Sequence, residues 1–187
     1  MHPDSIDVVI RQRASEFGGD IVELLAFRAV PSEEAAFEPG ETSDALREFV
    51  FRNGGTRFTF EERRHWTDAG ASGSGVVYVL DLLGSGAVGV ALSEIYRYAR
   101  ERFRGMGDET WRAEAFASMT VEDVRDQMLG DAERFLEVPR GTIKAVDIDR
   151  TNERAMMTCR DTRTGTQHHA ESGTDGAFVL RMLDGPN

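Results

Sequence analysis

Apolar and polar positions alternate from the start of the chain. Ile6, Val8 and Ile10 recur at period two with Asp7 and Arg11 among them, which predicts a strand over residues 5–13. Phe17, Gly18, Gly19 and Asp20 are turn residues. Behind them Ile21, Val22, Leu24 and Leu25 suit either a strand or a helical turn. The glycines before and Pro31 after decide for a second strand over 20–30. An acidic stretch over 32–43, with Pro39 followed by Gly40, predicts a loop. Phe49 and Phe51 then alternate on one side of Asn53, Gly54 and Gly55, and Phe58 and Phe60 on the other. Asn-Gly supplies the positive φ of a tight turn, so this pattern predicts a hairpin of strands over 46–52 and 56–62.

The period changes in the middle. Residues 70–75 are a glycine and serine connector. Residues 76–104 are apolar at first and strongly charged at their end, which predicts one long helix, and 111–119 predict a short one. Over 120–137 the helical signal is strongest. Thr120 and Asp123 hold capping-box positions, and Val121, Val124, Met128, Ala132 and Phe135 recur at helical spacing until Pro139. Short strands follow over 142–149, 153–160, 166–171 and 177–183, with turn residues between them.

This order of strands, helices and strands predicts an α+β fold. An antiparallel meander sheet carries one long Gly/Ala-rich helix and a second, amphipathic helix. The whole forms a single domain: N-terminal strands over 1–62, a helical middle over 75–137 and C-terminal strands over 141–183.

Charge narrows the partners. A formal net charge of −11 repels phosphate backbones and anionic headgroups, so no nucleic-acid partner is expected. Arg97, Arg100, Arg102 and Arg104 read as a solvated helix end. The single cysteine, Cys159, fits a reducing, cytoplasmic compartment. Residues 1–10 contain Asp4 and Asp7 and do not read as a secretory signal.

The sharpest motif is Gly84-Ser85-Gly86-Ala87-Val88-Gly89, which satisfies G-x-G-x-x-G. A dinucleotide site uses such glycines for a tight turn and for close approach of a pyrophosphate, so Gly84, Gly86 and Gly89 are the cofactor-binding candidates. That fold also needs a second parallel strand ending in Asp or Glu, and residues 105–117 offer none. The competing reading is structural. Ser85, Gly89 and Ser93 stand four apart, as do Ala87 and Ala91, and on a helix they make a smooth face for close packing. With Trp66 beside the glycine connector, Ser85, Gly89 and Ser93 are the candidate interaction surface. A third reading makes residues 76–92 membrane-active, but Asp81 near their middle opposes insertion. His168 and His169 fall on opposite faces of a strand, and Asp147 and Asp149 lack the EF-hand spacing, so no metal is expected. Cys159 and His168 approach each other across a hairpin turning near Arg163, on regular strands where nucleophiles are uncommon. No catalytic residue and no cofactor is assigned.

The run from Leu82 through Gly84, Gly86 and Gly89 to Leu92, continuing into arginine-rich 96–104 with strand pairs on both sides, resembles the effector-associated constant component proteins. These are small accessory proteins of actinobacterial conflict systems. The resemblance covers residues 76–104 and the strand–helix–strand order, and the insertion over 105–137 departs from that family's compact pattern. It implies a bacterial, non-enzymatic adaptor and carries over no catalytic residues. The leading expectation is therefore an interaction module with a protein partner or a homo-oligomer. The alternatives are a nucleotide or other small-molecule-binding protein using the Gly84–Gly89 turn, and a membrane-acting effector through 76–92.

Overall fold

A computed structural model describes residues 5–15, 18–29, 39–53, 58–66, 74–83, 88–103, 109–174 and 177–184. Among them are eight strands and four helices, which is the α+β class. The chain divides into two compact units. The first draws on residues 1–20 and 25–108, the second on 21–24 and 109–187.

The first unit contains β1 (Ser5–Ser15), β2 (Gly18–Ala29), α1 (Pro39–Asn53), β3 (Phe58–Trp66), β4 (Ser74–Leu83) and α2 (Val88–Arg102). Its strand order is β3-β4-β1-β2. β1 and β4 run parallel, while β3 is antiparallel to β4, so the sheet is mixed rather than a plain meander. Ile6, Val8 and Ile10 lie in register with Val76, Tyr78 and Leu80. On that face α2 buries Leu92, Ile95 and Ala99, Phe103 just beyond it is buried too, and α1 buries Leu46 and Val50. Phe103 meets Phe27 and Tyr78 at ring distances of 5.7 and 6.4 Å. Each such side chain contributes about 1.5–3 kcal/mol on full burial.

Two expectations are corrected here. Residues 76–104 are not one long helix: β4 ends at Leu83 and α2 begins at Val88. Val76, Val77 and Val79 are β-branched, and a central strand with buried or half-buried side chains on both faces reads as a continuous apolar run. Residues 46–52 are not a hairpin strand either. They belong to α1, where Leu46 and Val50, four apart, face the core and Phe51 faces solvent. Gly54 and Gly55 lie outside the described residues.

The second unit contains the Ile21–Leu24 segment of β2, α3 (Glu109–Ser118), α4 (Val121–Leu136), β5 (Ile143–Arg150), β6 (Arg154–Asp161), β7 (Gln167–Gly173) and β8 (Ala177–Asp184). Its strand order, from the β2 segment, is β8-β7-β6-β5. β5 to β8 form the antiparallel meander expected from the turn spacing. α4 also follows its sequence signals. Thr120 and Asp123 exchange both capping-box bonds, and Val124, Met128, Ala132 and Phe135 are buried. Glu137 takes the left-handed conformation at φ 58° and ends the helix. Buried Glu133 accepts the Ile143 N–H at 3.0 Å and so ties α4 to the start of β5. Arg150 donates from its guanidinium to the Phe116, Ala117 and Met119 carbonyls, capping the C-terminus of α3 with a cation.

The β6–β7 turn rests on Asp161. Its Oδ1 accepts the N–H groups of Arg163 at 2.8 Å and Thr164 at 3.4 Å, and Oδ2 accepts from the Arg163 guanidinium at 3.1 Å. Burial works to raise the pKa of this carboxyl. The Arg163 and Thr164 bonds and the Arg163 charge outweigh it, and the net pKa is lowered. A lowered folded pKa contributes stability that is present above the ordinary carboxylate range and lost as pH falls through the folded value. Asp161→Asn should therefore lower stability near neutral pH by about 1–3 kcal/mol and flatten the acid limb of the stability curve. Urea unfolding at several pH values measures both, and an acid limb of unchanged slope would exclude this role.

Candidate functional site

Parallel pairing of β1 with β4 builds a charged cluster on the other face of the first unit's sheet. Asp7, Val9, Arg11 and Arg13 alternate along β1 with the core residues, and the register sets Arg11 opposite Asp81 and Arg13 opposite Leu83. Arg11 Nε and Nη2 donate to the two Asp81 carboxylate oxygens at 2.6 and 2.7 Å. Both side chains are largely buried, at 3% and 14% exposure. Arg13, 24% exposed, adds a second guanidinium 3.4 Å from the same carboxylate and donates to the Gly19 carbonyl at 3.0 Å. Near the start of the strand, Asp7 takes a separate two-point bond from Arg28 on β2 at 2.8 and 3.1 Å. Fork-shaped guanidinium contacts of this kind are directional and hold strands in register.

The Arg11, Arg13 and Asp81 cluster lies toward the carboxyl ends of both parallel strands, where open α/β sheets place their ligands. β4 leads into the glycine motif, and α2 begins at Val88. Gly84, Ser85 and Gly86 lie outside the described residues. Gly89 stands in the first turn of α2, and Ser93 is exposed one turn further on. The motif therefore has the strand before it and the helix behind it that its chemistry needs. Among the described residues the next strand after α2 is β5, antiparallel to β6 in the second unit, so no dinucleotide-type second parallel strand follows there.

Of the expected small-residue surface, Gly89 and Ser93 lie on α2, and Ser85 and Ala87 lie outside the described residues. Trp66 ends β3 opposite Ser74, and its side chain is outside the description. Residues 76–92 do not make a span, and among the described residues no helix is long and apolar enough to cross a membrane.

An aromatic surface escaped the sequence pattern. Phe51 on α1 is 73% exposed. On the same helix pair Phe49 stacks on Tyr98 of α2, with ring centroids 3.9 Å apart and planes 6° from parallel, and both residues are half-exposed. The helical spacing of Leu46 and Val50 was the signal for this arrangement. Phenylalanine alternation beside Asn-Gly hid it.

In the second unit, His168 is buried and its neighbour His169 is half-exposed, 3.4 Å from Glu171. Among the described residues no three His, Cys, Asp or Glu side chains group as metal ligands. Cys159 and His168 are direct cross-strand partners, and burial pushes the thiol up to about 12. A groove of 690 Å³ lies between the β5–β6 and β7–β8 turns. The Thr151 hydroxyl is spent there on the Arg154 carbonyl and on the Glu153 and Arg154 N–H groups. Set against known protein families, curated proteins and solved structures, the chain matches none.

Proposed function

We propose that this chain is a non-enzymatic interaction module that engages a protein partner, or a second copy of itself, through the outer surface of α1 and α2. The observation that carries this reading is Phe51, 73% exposed and neighboured in sequence by Arg47, Glu48 and Arg52, all exposed. An aromatic anchor with a charged rim is the anatomy of an interface hot spot. The half-exposed Phe49–Tyr98 stack and exposed Ser93 extend the surface over both helices. The net charge of −11 favours a protein over a nucleic acid as partner. A cytoplasmic setting belongs to the same reading, because Cys159 is a free, buried thiol. The adaptor role implied by the resemblance to effector-associated accessory proteins agrees with it.

Affinity purification of the tagged chain from its native host tests the proposal. A stoichiometric partner is expected, and Phe51→Asp should weaken its binding by about 2 kcal/mol, roughly thirtyfold, while circular dichroism stays unchanged. Full recovery of the partner by the folded variant would remove this surface from the function.

A second reading is favoured by one observation. β4 runs into the Gly84–Gly89 motif and α2 leads out of it, which suits a protein that binds a nucleotide or another small molecule there.

A further inference from the structure

We infer that β3 is a dimerisation edge, which pairs antiparallel with β3 of a second copy of this chain about a twofold axis at Arg63. This contact is separate from the partner surface on α1 and α2 and does not depend on it. β3 ends the strand order of the first unit, and among the described residues only β4 pairs with it. A strand edge carries a row of backbone N–H and C=O groups that a further strand can take up. Proteins blunt such edges with bulges, proline or short strands. β5, the edge strand of the second unit, is blunted in this way, because its register with β6 shifts between Ala145 and Asp147. β3 has nine residues, no proline and an unbroken register with β4. Charge alone guards this edge, and the charge is complementary to itself.

Twofold symmetry makes the match specific. Identical antiparallel strands are related by an axis normal to the sheet, which keeps each side chain on its own face. An odd-numbered residue then stands opposite an odd one and an even residue opposite an even one. Glu61 and Glu62 are followed by Arg63 and Arg64, so each face of β3 carries one acid and one base two positions apart. An axis at Arg63 sets Glu62 of each copy opposite Arg64 of the other, twice over. An axis at Glu62 would bring together two carboxylates at a position only 19% exposed. At Arg63 each central guanidinium keeps its own Glu61, 2.6 Å away. Within one chain Arg64 meets Glu62 at 2.9 Å, and such surface bridges contribute little singly. Pairing two copies joins them into a network in which opposite charges also face each other across the strands. A strand of another sequence would have to repeat this order of charges, so the edge selects a second copy.

Sedimentation velocity of the full chain at rising concentration tests this, with circular dichroism as the control for folding. The wild type should form a dimer. Glu62→Arg and Arg64→Glu each turn two facing opposite-charge pairs into like-charge pairs, and each should weaken the dimer at least about tenfold. An equimolar mixture of the two variants should restore it, because each then supplies the charge that the other lacks. A second measurement needs no variant: amide hydrogen exchange in β3 should slow as the wild-type concentration rises. A wild type that stays monomeric at every concentration would overturn the inference, as would β3 exchange that ignores concentration. Folded variants that fail to recombine would overturn the pairing. A dimer that survives both variants and is lost with Phe51→Asp would place the contact on α1 and overturn it too.

Discussion

Asp81→Ala is expected to lower the stability of the protein by about 3–5 kcal/mol, the cost of removing one partner from a buried ion pair. Arg11 keeps its charge at 3% exposure, and the substitution takes away the carboxylate that meets it at 2.6 and 2.7 Å. It also releases Arg13 from its ion pair. Asp81→Asn should cost less, because an amide oxygen still accepts one guanidinium bond. Replacing the pair together, Arg11→Met with Asp81→Leu, should recover most of the loss, since apolar groups of similar volume often match a buried ion pair in stability. Urea unfolding followed by circular dichroism measures all four chains. If Asp81→Ala cost less than about 1 kcal/mol, the pair would be behaving as an ordinary surface bridge.

That pair marks the boundary of what local sequence pattern reveals. Asp7 and Arg11 look like the solvent-facing positions of a half-buried strand. They are instead buried on the second face of a central strand, at 4% and 3% exposure. Their partners come from other strands, and Asp81 is separated from Arg11 by 70 positions. No periodicity within β1 or β4 encodes that distant pairing. α4 lay open to reading because its determinants are local: Thr120 caps, Asp123 answers, and the buried positions follow at three and four. β5 to β8 were legible for the same reason, since each hairpin carries its own turn residues.

The two misassigned elements failed for a shared physical reason. In β4, Val76 to Leu80 is apolar because side chains on both faces of the strand are buried or half-buried, and a buried helix would look the same. In α1, Phe49 and Phe51 alternate like a strand, yet Phe51 projects into solvent and the core positions are Leu46 and Val50. Both errors hid features that the proposed readings use. The first concealed the strand before the Gly84–Gly89 motif, and the second an exposed aromatic. Gly84, Gly86 and Gly89 were legible as a motif. The Arg13–Asp81 ion pair was not, because it depends on the parallel pairing of β1 with β4.

Cys159 is expected to react with thiol reagents roughly a thousandfold more slowly in the native chain than in the unfolded one at neutral pH. The register makes this a sharp test, because it places Cys159 directly opposite His168, the geometry from which a Cys–His nucleophile is built. Burial decides the outcome the other way. Cys159 is 0% exposed and His168 5%, and the thiol is pushed up to about 12 by loss of solvation. The reactive thiolate is then a minute fraction at neutral pH, and no path brings an electrophile to it. Ellman's reagent, followed from neutral to alkaline pH with and without urea, measures the effect. Native labelling should rise about tenfold per pH unit until unfolding becomes the faster route, and urea should abolish the protection. Rapid native labelling that barely changed across neutral pH would mean that His168 draws the proton and that the thiolate is accessible. The non-enzymatic reading would then give way to nucleophilic chemistry on β6 and β7, and Cys159→Ser would become the first variant to assay.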